Sequence, residues 1–313
     1  MHISIVSPVY KAPEILPELV ARLEESLTKI TDSFEVILVD DGCPWDSWSV
    51  VELLAEKYSF IKGIKLSRNF GQHYAITAGL DYAKGEWIVV MDCDLQDEPD
   101  EIRKLYKEAQ NGFDIVLASR QNRQDNIFKK FSSSLFHRIY CYLCDLDSDH
   151  TISNFGMYNR KVILEFNKLL EVSRSFPSLI QQLGFKQSII KVKHSTRFEG
   201  KTSYSFFKLL NLSMDVLISN SNKPLKLTVG LGFIISLGSF FLAAYNLFAG
   251  ITGIITVPGF TSTIFSIWFV GGLILFVLGV MGLYLGKIFN QVKGRGLYII
   301  EKKINFGSVI NYL

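Results

Sequence analysis

Trp87-Ile88-Val89-Val90-Met91-Asp92-Cys93-Asp94-Leu95-Gln96-Asp97 is the stretch that decides the fold of the first two hundred residues. Residues 87–91 are an unbroken apolar run, the pattern of a strand buried on both faces, and acid follows at once. Two carboxylates one residue apart at a strand exit aim at one point only if the chain turns there. A pair held in that way suits a hard divalent cation, which takes oxygen ligands and bridges protein carboxylates to phosphate oxygens. Gln96 adds a neutral oxygen. The plain alternative is a solvated acidic turn that caps a helix beginning near Pro99. Metal binding does not need Cys93, which is expected to pack backward.

The same pattern repeats on either side. Residues 2–9 read as a short apolar strand and 14–27 have helical spacing. Phe34–Asp40 is a continuous apolar strand ending in acid, followed by a helix at 48–57. A strand at Ile61–Leu66, a helix at 73–83, the strand at 87–91, a helix at 99–110 and a strand at 113–118 complete the series. Such alternation predicts an α/β domain with a mostly parallel sheet and helices on both faces. In open sheets of this kind, ligands bind outside the carboxyl ends of the strands. Tyr10, Asp40-Asp41 and Asp92–Asp94 occupy three of those ends and are expected to converge on one crevice.

Two further motifs lie at such exits. In Val39-Asp40-Asp41-Gly42 a carboxylate can accept hydrogen bonds from a ribose or a base, and Gly42 permits close backbone approach. In isolation, Asp-Asp-Gly is also ordinary turn chemistry. Leu66-Ser67-Arg68-Asn69-Phe70-Gly71-Gln72 is a polar loop in which Arg68 either meets a diphosphate or is a surface arginine.

The C-terminal third has a different composition. Residues 1–224 carry 27 basic and 29 acidic side chains, and residues 225–313 carry 6 and 1, so the two parts stand at −2 and +5. No charged residue occurs from Thr228 to Gly286. The apolar runs 225–249 and 264–286 each have roughly the ~20 residues needed to cross a bilayer as a helix, and neither shows the polar stripe of a core helix. Lys223 and Lys226 precede the first run, and Lys287, Lys293 and Arg295 follow the second. The turn 250–263 has no basic residue, so both ends and the N-terminal domain are expected on the cytoplasmic side of the inner membrane. Met1 leads straight into the first strand, and no signal peptide is expected.

Taken in order, Ser7-Pro8-Val9-Tyr10, Val39-Asp40-Asp41-Gly42, the loop Leu66–Gly71 and Asp92–Asp97 before Glu98-Pro99 resemble family 2 glycosyltransferases of GT-A (Rossmann-like) fold. The match is to the membrane-anchored branch that uses polyisoprenyl phosphates, whose members include dolichyl-phosphate mannose synthases and bactoprenol glucosyltransferases. It covers essentially the whole chain. Arg197-Phe198-Glu199-Gly200-Lys201-Thr202-Ser203 is similar to the family's Arg-x-x-Gly-x-Ser segment before its juxtamembrane helix. The domain plan implied is a glycosyltransferase domain at 1–202, an amphipathic juxtamembrane segment at 203–224, spans at 225–249 and 264–286 with a turn at 250–263, and a tail at 287–313.

This resemblance implies roles for particular residues. Pro8 and Tyr10 fall where the family holds the base, Asp40 and Asp41 near base and ribose, and Arg68 near the nucleotide. Asp92, Asp94 and Gln96 match the surroundings of a divalent cation, Mg2+ or Mn2+, and its diphosphate. Arg120 and Arg197 match arginines near the acceptor phosphate, with Lys129 or Lys130 as a further basic residue. The chain departs from the family twice. Where relatives often have Tyr-Asn-Glu it has Tyr10-Lys11-Ala12, so one nucleotide contact is missing or passes to Glu14. Where many have Gly-Asp-Phe-Arg it has Ser153-Asn154-Phe155-Gly156, and Asn154 cannot act as the base usually assigned there.

The expected activity is inverting, metal-dependent transfer from a nucleotide-sugar to an undecaprenyl-type phosphate, with Asp94, Arg120, Asn154 and Arg197 at the reacting centre. The expected partners are the donor, the lipid acceptor, the bilayer and, as an open option, further copies in a homo-oligomer. Nucleic acid is not among them. A transferase to a hydroxyl of a lipid-linked saccharide and a non-catalytic membrane scaffold are the alternatives. A processive synthase would carry a Gln-x-x-Arg-Trp motif, which is absent. Cys141-x-x-Cys144 lacks the further ligands that zinc needs and is read as two buried helical thiols.

Overall fold

The computed structural model describes residues 2–120, 152–172, 174–193, 221–252 and 259–306. Arg197, Lys129, Lys130, the Cys141/Cys144 pair and the juxtamembrane segment 203–220 lie outside those residues. The chain divides into two units, one built from Met1–Asp125, Ser148–Thr202 and Arg295–Leu313, the other containing two long C-terminal helices.

The first unit is a three-layer α/β sandwich. Its strands are β1 (Ile3–Val9), β2 (Phe34–Asp40), β3 (Ile61–Leu66), β4 (Trp87–Val90), β5 (Ile115–Arg120), β6 (Ile152–Asn159), β7 (Gln187–Val192) and β8 (Ile300–Ile304). Among the described residues they form one sheet in the order β7-β5-β6-β4-β1-β2-β3-β8. β1 pairs in parallel with both β2 and β4, β2 with β3, and β5 with β7. β6 runs antiparallel between β4 and β5, and β8 antiparallel along β3. The helices are α1 (Leu16–Thr28), α2 (Ser47–Lys57), α3 (Gln72–Tyr82), α4 (Ile102–Ala109, entered through a 3-10 turn at Pro99–Glu101), α5 (Arg160–Lys168) and α6 (Phe176–Gln182).

Strand pleating divides the apolar residues between two cores. Ile3, Ile5, Val36, Leu38 and Val89 pack with Leu19 and Leu23 of α1, Val51 of α2 and Leu105 of α4. Val6, Ile37, Val39, Ile88 and Val90 pack with Ile76 of α3, Val162 of α5 and Leu179 of α6. Each fully buried aliphatic side chain contributes roughly 1.5–3 kcal/mol. The helix α3 lies so close to β1 that a Cβ on Gly79 would stand 2.4 Å from Cγ1 of Val6.

At the amino ends of the strands sits a buried charge. Glu35 of β2 is fully buried and accepts hydrogen bonds from Ser4 Oγ (2.5 Å), Lys84 N (2.7 Å) and Lys62 Nζ (2.5 Å). Ser4 Oγ in turn accepts from Gly85 N at 2.7 Å. One carboxylate thus ties β1, β2, β3 and the approach to β4 together, with its charge matched and its lone pairs filled.

The sequence read residues 287–313 as a tail, whereas the structure builds β8 there. Ile300-Glu301-Lys302-Lys303-Ile304 carries three charges in five residues and shows no strand alternation. Such residues are tolerated on an edge strand, where they discourage further pairing. The two apolar runs are also longer as helices than as hydrophobic stretches. They form α7 (Lys223–Ile251, 29 residues) and α8 (Phe260–Val292, 33 residues), because helical hydrogen bonding continues into the polar flanks and Pro224 is tolerated in a first turn. Both are long and apolar enough to cross a membrane, and only 6% and 0% of their apolar windows are buried by the rest of the chain.

Lys62→Ala leaves Glu35 buried without its counter-charge and is expected to destabilise by about 3 kcal/mol. Lys65→Ala removes a partly exposed pair with Glu301 (3.1 Å) and should cost under about 1 kcal/mol. Thermal unfolding of the two variants in detergent checks the contrast.

Candidate active site

The strands β1, β2, β3, β4, β5 and β7 all end on one edge of the sheet, where β6 begins. Register brings the exits level. That holds for β1 and β2, where Val9 pairs with Asp40 and Asp41 N donates to Val9 O (3.1 Å), whereas β4 ends three residues earlier, with Val90 opposite Val6 and Met91 N donating to Val6 O (3.1 Å). The motifs at residues 10, 40–41, 67–71 and 92–96 all follow strands that end on that edge.

Asp41 organises the centre. Its side chain, 3% exposed, accepts the Phe70 amide on one oxygen (2.8 Å) and the Gly71 amide on the other (2.9 Å). Beside it Gly42 adopts φ +60, and a Cβ there would meet the Arg68 carbonyl carbon at 2.3 Å. The loop between β3 and α3 is thus pressed against the exit of β2, a contact that only glycine allows. Arg68 remains exposed, its guanidinium 4.0 Å from the Phe70 ring centroid and its Nη1 donating to Asn69 O (3.1 Å).

Asp40 is 1% exposed, accepts the Cys43 amide on Oδ1 (2.9 Å) and has no partner for its buried Oδ2. Burial lifts the carboxyls of both Asp40 and Asp41 above the usual range, while the backbone amides on each pull the other way. A buried acceptor with nothing to accept is a cost unless a ligand supplies the donor.

Two cysteines fix the exit of β1. Cys43 Sγ accepts from Lys11 N (3.1 Å), Trp45 N (3.4 Å) and Ser47 Oγ (3.0 Å). Burial raises the Cys43 thiol, but these donors outweigh it and leave the group below the ordinary thiol range. Lys11, at φ 55, places Nζ 5.3 Å from the Tyr10 ring centroid and 5.5 Å from that of Trp45, which are 43% and 60% exposed. Cys93 is buried as expected, its thiol pushed up to about 12 by desolvation.

After β4 the chain turns at Leu95 (φ 57). Burial alternates along the turn: Asp92, Asp94 and Gln96 are partly open, Cys93, Leu95 and Asp97 buried. Asp92 Oδ1 accepts from Gln72 Nε2 (2.6 Å), and Asp94 Oδ1 accepts from Gln96 N (3.2 Å). Among the described residues no three His, Cys, Asp or Glu side chains gather into a metal cluster. The donor set at 92, 94 and 96 is oxygen only and too small for a closed protein cage. It fits a hard cation that completes its shell with water and substrate phosphate.

The remaining predicted residues are more scattered. Pro8 lies inside β1, paired with Val39 and buried, away from the open rim. Glu14 is exposed ahead of α1. Arg120 ends β5, and half-buried Asn154 stands two residues before Gly156, the partner of Val90, where β4 gives way to Asp92. Sequence reasoning missed the Cys43 hub, the Gln72–Asp92 bond and the exposed Trp45. Lys11, Trp45 and Ser47, the three donors to Cys43, form no periodic pattern, but Gln72 as the first residue of α3 lay in plain view.

Residues 4–167 match the sequence profile of Glycosyl transferase family 2. The chain belongs to that family. A glycosyltransferase of Synechocystis is 35% identical over 96% of this chain and 95% of its own length. The undecaprenyl-phosphate 4-deoxy-4-formamido-L-arabinose transferase of Photorhabdus laumondii is 33% identical over 96% of this chain and 94% of that protein. Among solved structures, the glucosyl-3-phosphoglycerate synthase of Mycobacterium tuberculosis with Mn2+, UDP and phosphoglyceric acid is 13% identical, with TM-score 0.48 over 70% of this chain and 76% of that one. The glycosyltransferase described here has a mostly parallel GT-A-type sheet and two C-terminal helices that are candidate membrane spans.

Asp40→Asn should separate stability from ligand binding. A carboxyl whose pKa is raised in the folded state takes up a proton on folding, so its charge burdens the fold increasingly as pH rises through the folded value. The variant is expected to melt about 3 °C higher than the parent at pH 8, with the gap closing near pH 4 and nucleotide binding lost. Melting curves across that pH range, alongside nucleotide titration, provide the check.

Proposed function

We propose that this enzyme transfers a sugar, with inversion, from a nucleotide-sugar to a polyisoprenyl phosphate of undecaprenyl type at the cytoplasmic face of the inner membrane. The observation that carries the reading is the joint position of the Asp41-held loop and the acidic turn 92–96 on one sheet edge, in a chain that also has two exposed apolar helices. The full-length likeness to a transferase named for undecaprenyl phosphate supports the acceptor class. Basic residues flanking both helices and missing from the turn between them support the orientation.

In this reading Tyr10, Asp40 and Asp41 hold the nucleoside, and Arg68 meets the diphosphate. Asp92, Asp94 and Gln96 would hold Mg2+ or Mn2+, which when bound supplies positive charge to the departing nucleoside diphosphate. Arg120 and Arg197 draw in the acceptor phosphate, joined by Lys129 or Lys130. An acceptor oxygen forms the bond to the anomeric carbon as the bond to the diphosphate breaks. A phosphate monoester has its second pKa near ~6 and is already ionised at neutral pH. It needs positive groups for approach and no base to deprotonate it. Asn154 orients the acceptor by hydrogen bonding. This favours a phosphate over a saccharide hydroxyl, which would need the missing carboxylate.

Membranes containing the enzyme, incubated with radiolabelled nucleotide-sugars and a short polyprenyl phosphate, should form a labelled lipid that EDTA abolishes. Asp94→Ala is expected to lower transfer at least about 100-fold, on the scale of removing a principal transition-state charge contact, and Asn154→Ala to retain activity within about tenfold. Label found only on a saccharide hydroxyl would overturn the acceptor assignment.

A further inference from the structure

The segment that follows the second long helix returns to the catalytic unit at one particular place, the loop that carries Arg68. Lys65 of β3 pairs with Lys302, and after a bulge Leu66 pairs with Ile300. The ladder then runs past the end of β3, where Ser67 N donates to Ile299 O at 2.9 Å. The loop 67–71 is thus pinned twice, at its start by the C-terminal segment and at its end by Asp41. Arg68 and Asn69 lie between the two pins.

The same segment also holds α3, the helix into which this loop runs. Tyr298 OH donates to Asp81 Oδ2 at 2.5 Å across 217 residues of sequence. Phe306 packs edge-on against Tyr82 with ring centroids 5.1 Å apart, and Lys303 Nζ stands 4.9 Å from the centroid of the same ring. Asn305, at φ 62, locks the far end by donating to Ala55 O (2.8 Å) and Ile61 O (2.9 Å). The first residue of α3 is Gln72, which holds Asp92. Contacts made by residues 298–306 therefore bear on both ends of the candidate site, the Arg68 loop directly and the acidic turn through α3.

We propose that residues 298–306 act as a positioning strap for the donor-binding loop, with Tyr298 as its main tie. The role as donor loop rests on the function proposed above. The strap sets where Arg68 stands when the nucleotide-sugar arrives, and so acts on donor affinity more than on turnover. It explains why so polar a strand is retained at the sheet edge. It also makes the chain immediately after α8, separated from Tyr298 only by residues 293–297, part of the donor site's support.

The full-length protein in lipid nanodiscs tests this with two readouts. Tyr298→Phe keeps the ring and removes only the hydroxyl. It is expected to raise the donor KM about fivefold, the scale of one lost hydrogen bond, with kcat within about twofold. Amide hydrogen exchange over residues 67–72 should quicken while β1 and β2 exchange as before. Glu25→Gln, which breaks an exposed ion pair with Lys29 on α1 (2.9 Å), away from the strap, is expected to leave the donor KM unchanged. An unchanged KM together with unchanged exchange at 67–72 in Tyr298→Phe would overturn the strap, as would faster exchange spread evenly over the whole unit. A parent protein that neither binds nor transfers any nucleotide-sugar would overturn the functional reading, and exchange at 67–72 would still decide the strap.

Discussion

Everything at the candidate site depends on the parallel register of β1 with its two neighbours. All seven residues of β1 are buried, and its side chains feed both cores in alternation. A slip of one residue against β2 would turn every side chain to the opposite face and exchange the contents of the two cores. Because that register is fixed by burial on both faces, Tyr10 and Asp41 leave the sheet side by side and Met91 three residues earlier, without any contact among the functional side chains. Loops at the edge are then fixed by a few ties: two amides on Asp41, one sulfur at Cys43, one amide side chain on Asp92 and the Ser67–Ile299 bond to the C-terminal segment.

The two ends of the sheet treat buried carboxylates in opposite ways. Glu35 at the amino end has a lysine and two neutral donors, so its charge is matched and it knits strands together. Asp40 at the carboxyl end is as deeply buried but keeps one oxygen without a partner. Desolvation raises its pKa although the Cys43 and Gly42 amides and the Lys65 charge pull the other way. Stability alone would favour the first arrangement everywhere. Its absence at Asp40 is a cost to the fold, which the proposed function would offset by a donor from the bound nucleotide.

Much of this was legible in the sequence because it rests on local pattern. Apolar runs ending in acid gave β2 and β4, and helical spacing gave the intervening helices to within a residue or two. Gly42 could be singled out as a point of close approach, and Arg68 beside it drew notice as a loop residue. What escaped depends on partners distant in sequence. β8 has the composition of a tail and becomes a strand only because β3 offers an unpaired edge. Cys43 has no motif, and its role as a triple acceptor exists only once Lys11 and Ser47 are folded around it. Pro8 is buried near the end of β1, opposite Val39, while Tyr10, Lys11 and Trp45 are exposed beyond it.

Charge balance gives the substitution at position 154 a physical meaning within the proposed reaction. Residues 40, 41, 92 and 94 give the edge four carboxylates, against Lys11, Lys65 and Arg68 among the described cations. Both substrates bring phosphate. Two unit charges ~4 Å apart interact by about 1 kcal/mol in water and about 4 kcal/mol at the effective dielectric of a protein surface. A fifth carboxylate where β6 begins, next to the exit of β4, would therefore oppose an incoming phosphate by a factor of roughly ten or more in affinity. An amide keeps the hydrogen-bonding capacity of that position and removes the opposing charge. The departure from the family pattern that first looks like a lost catalytic group is, for an acceptor already ionised, the more favourable residue.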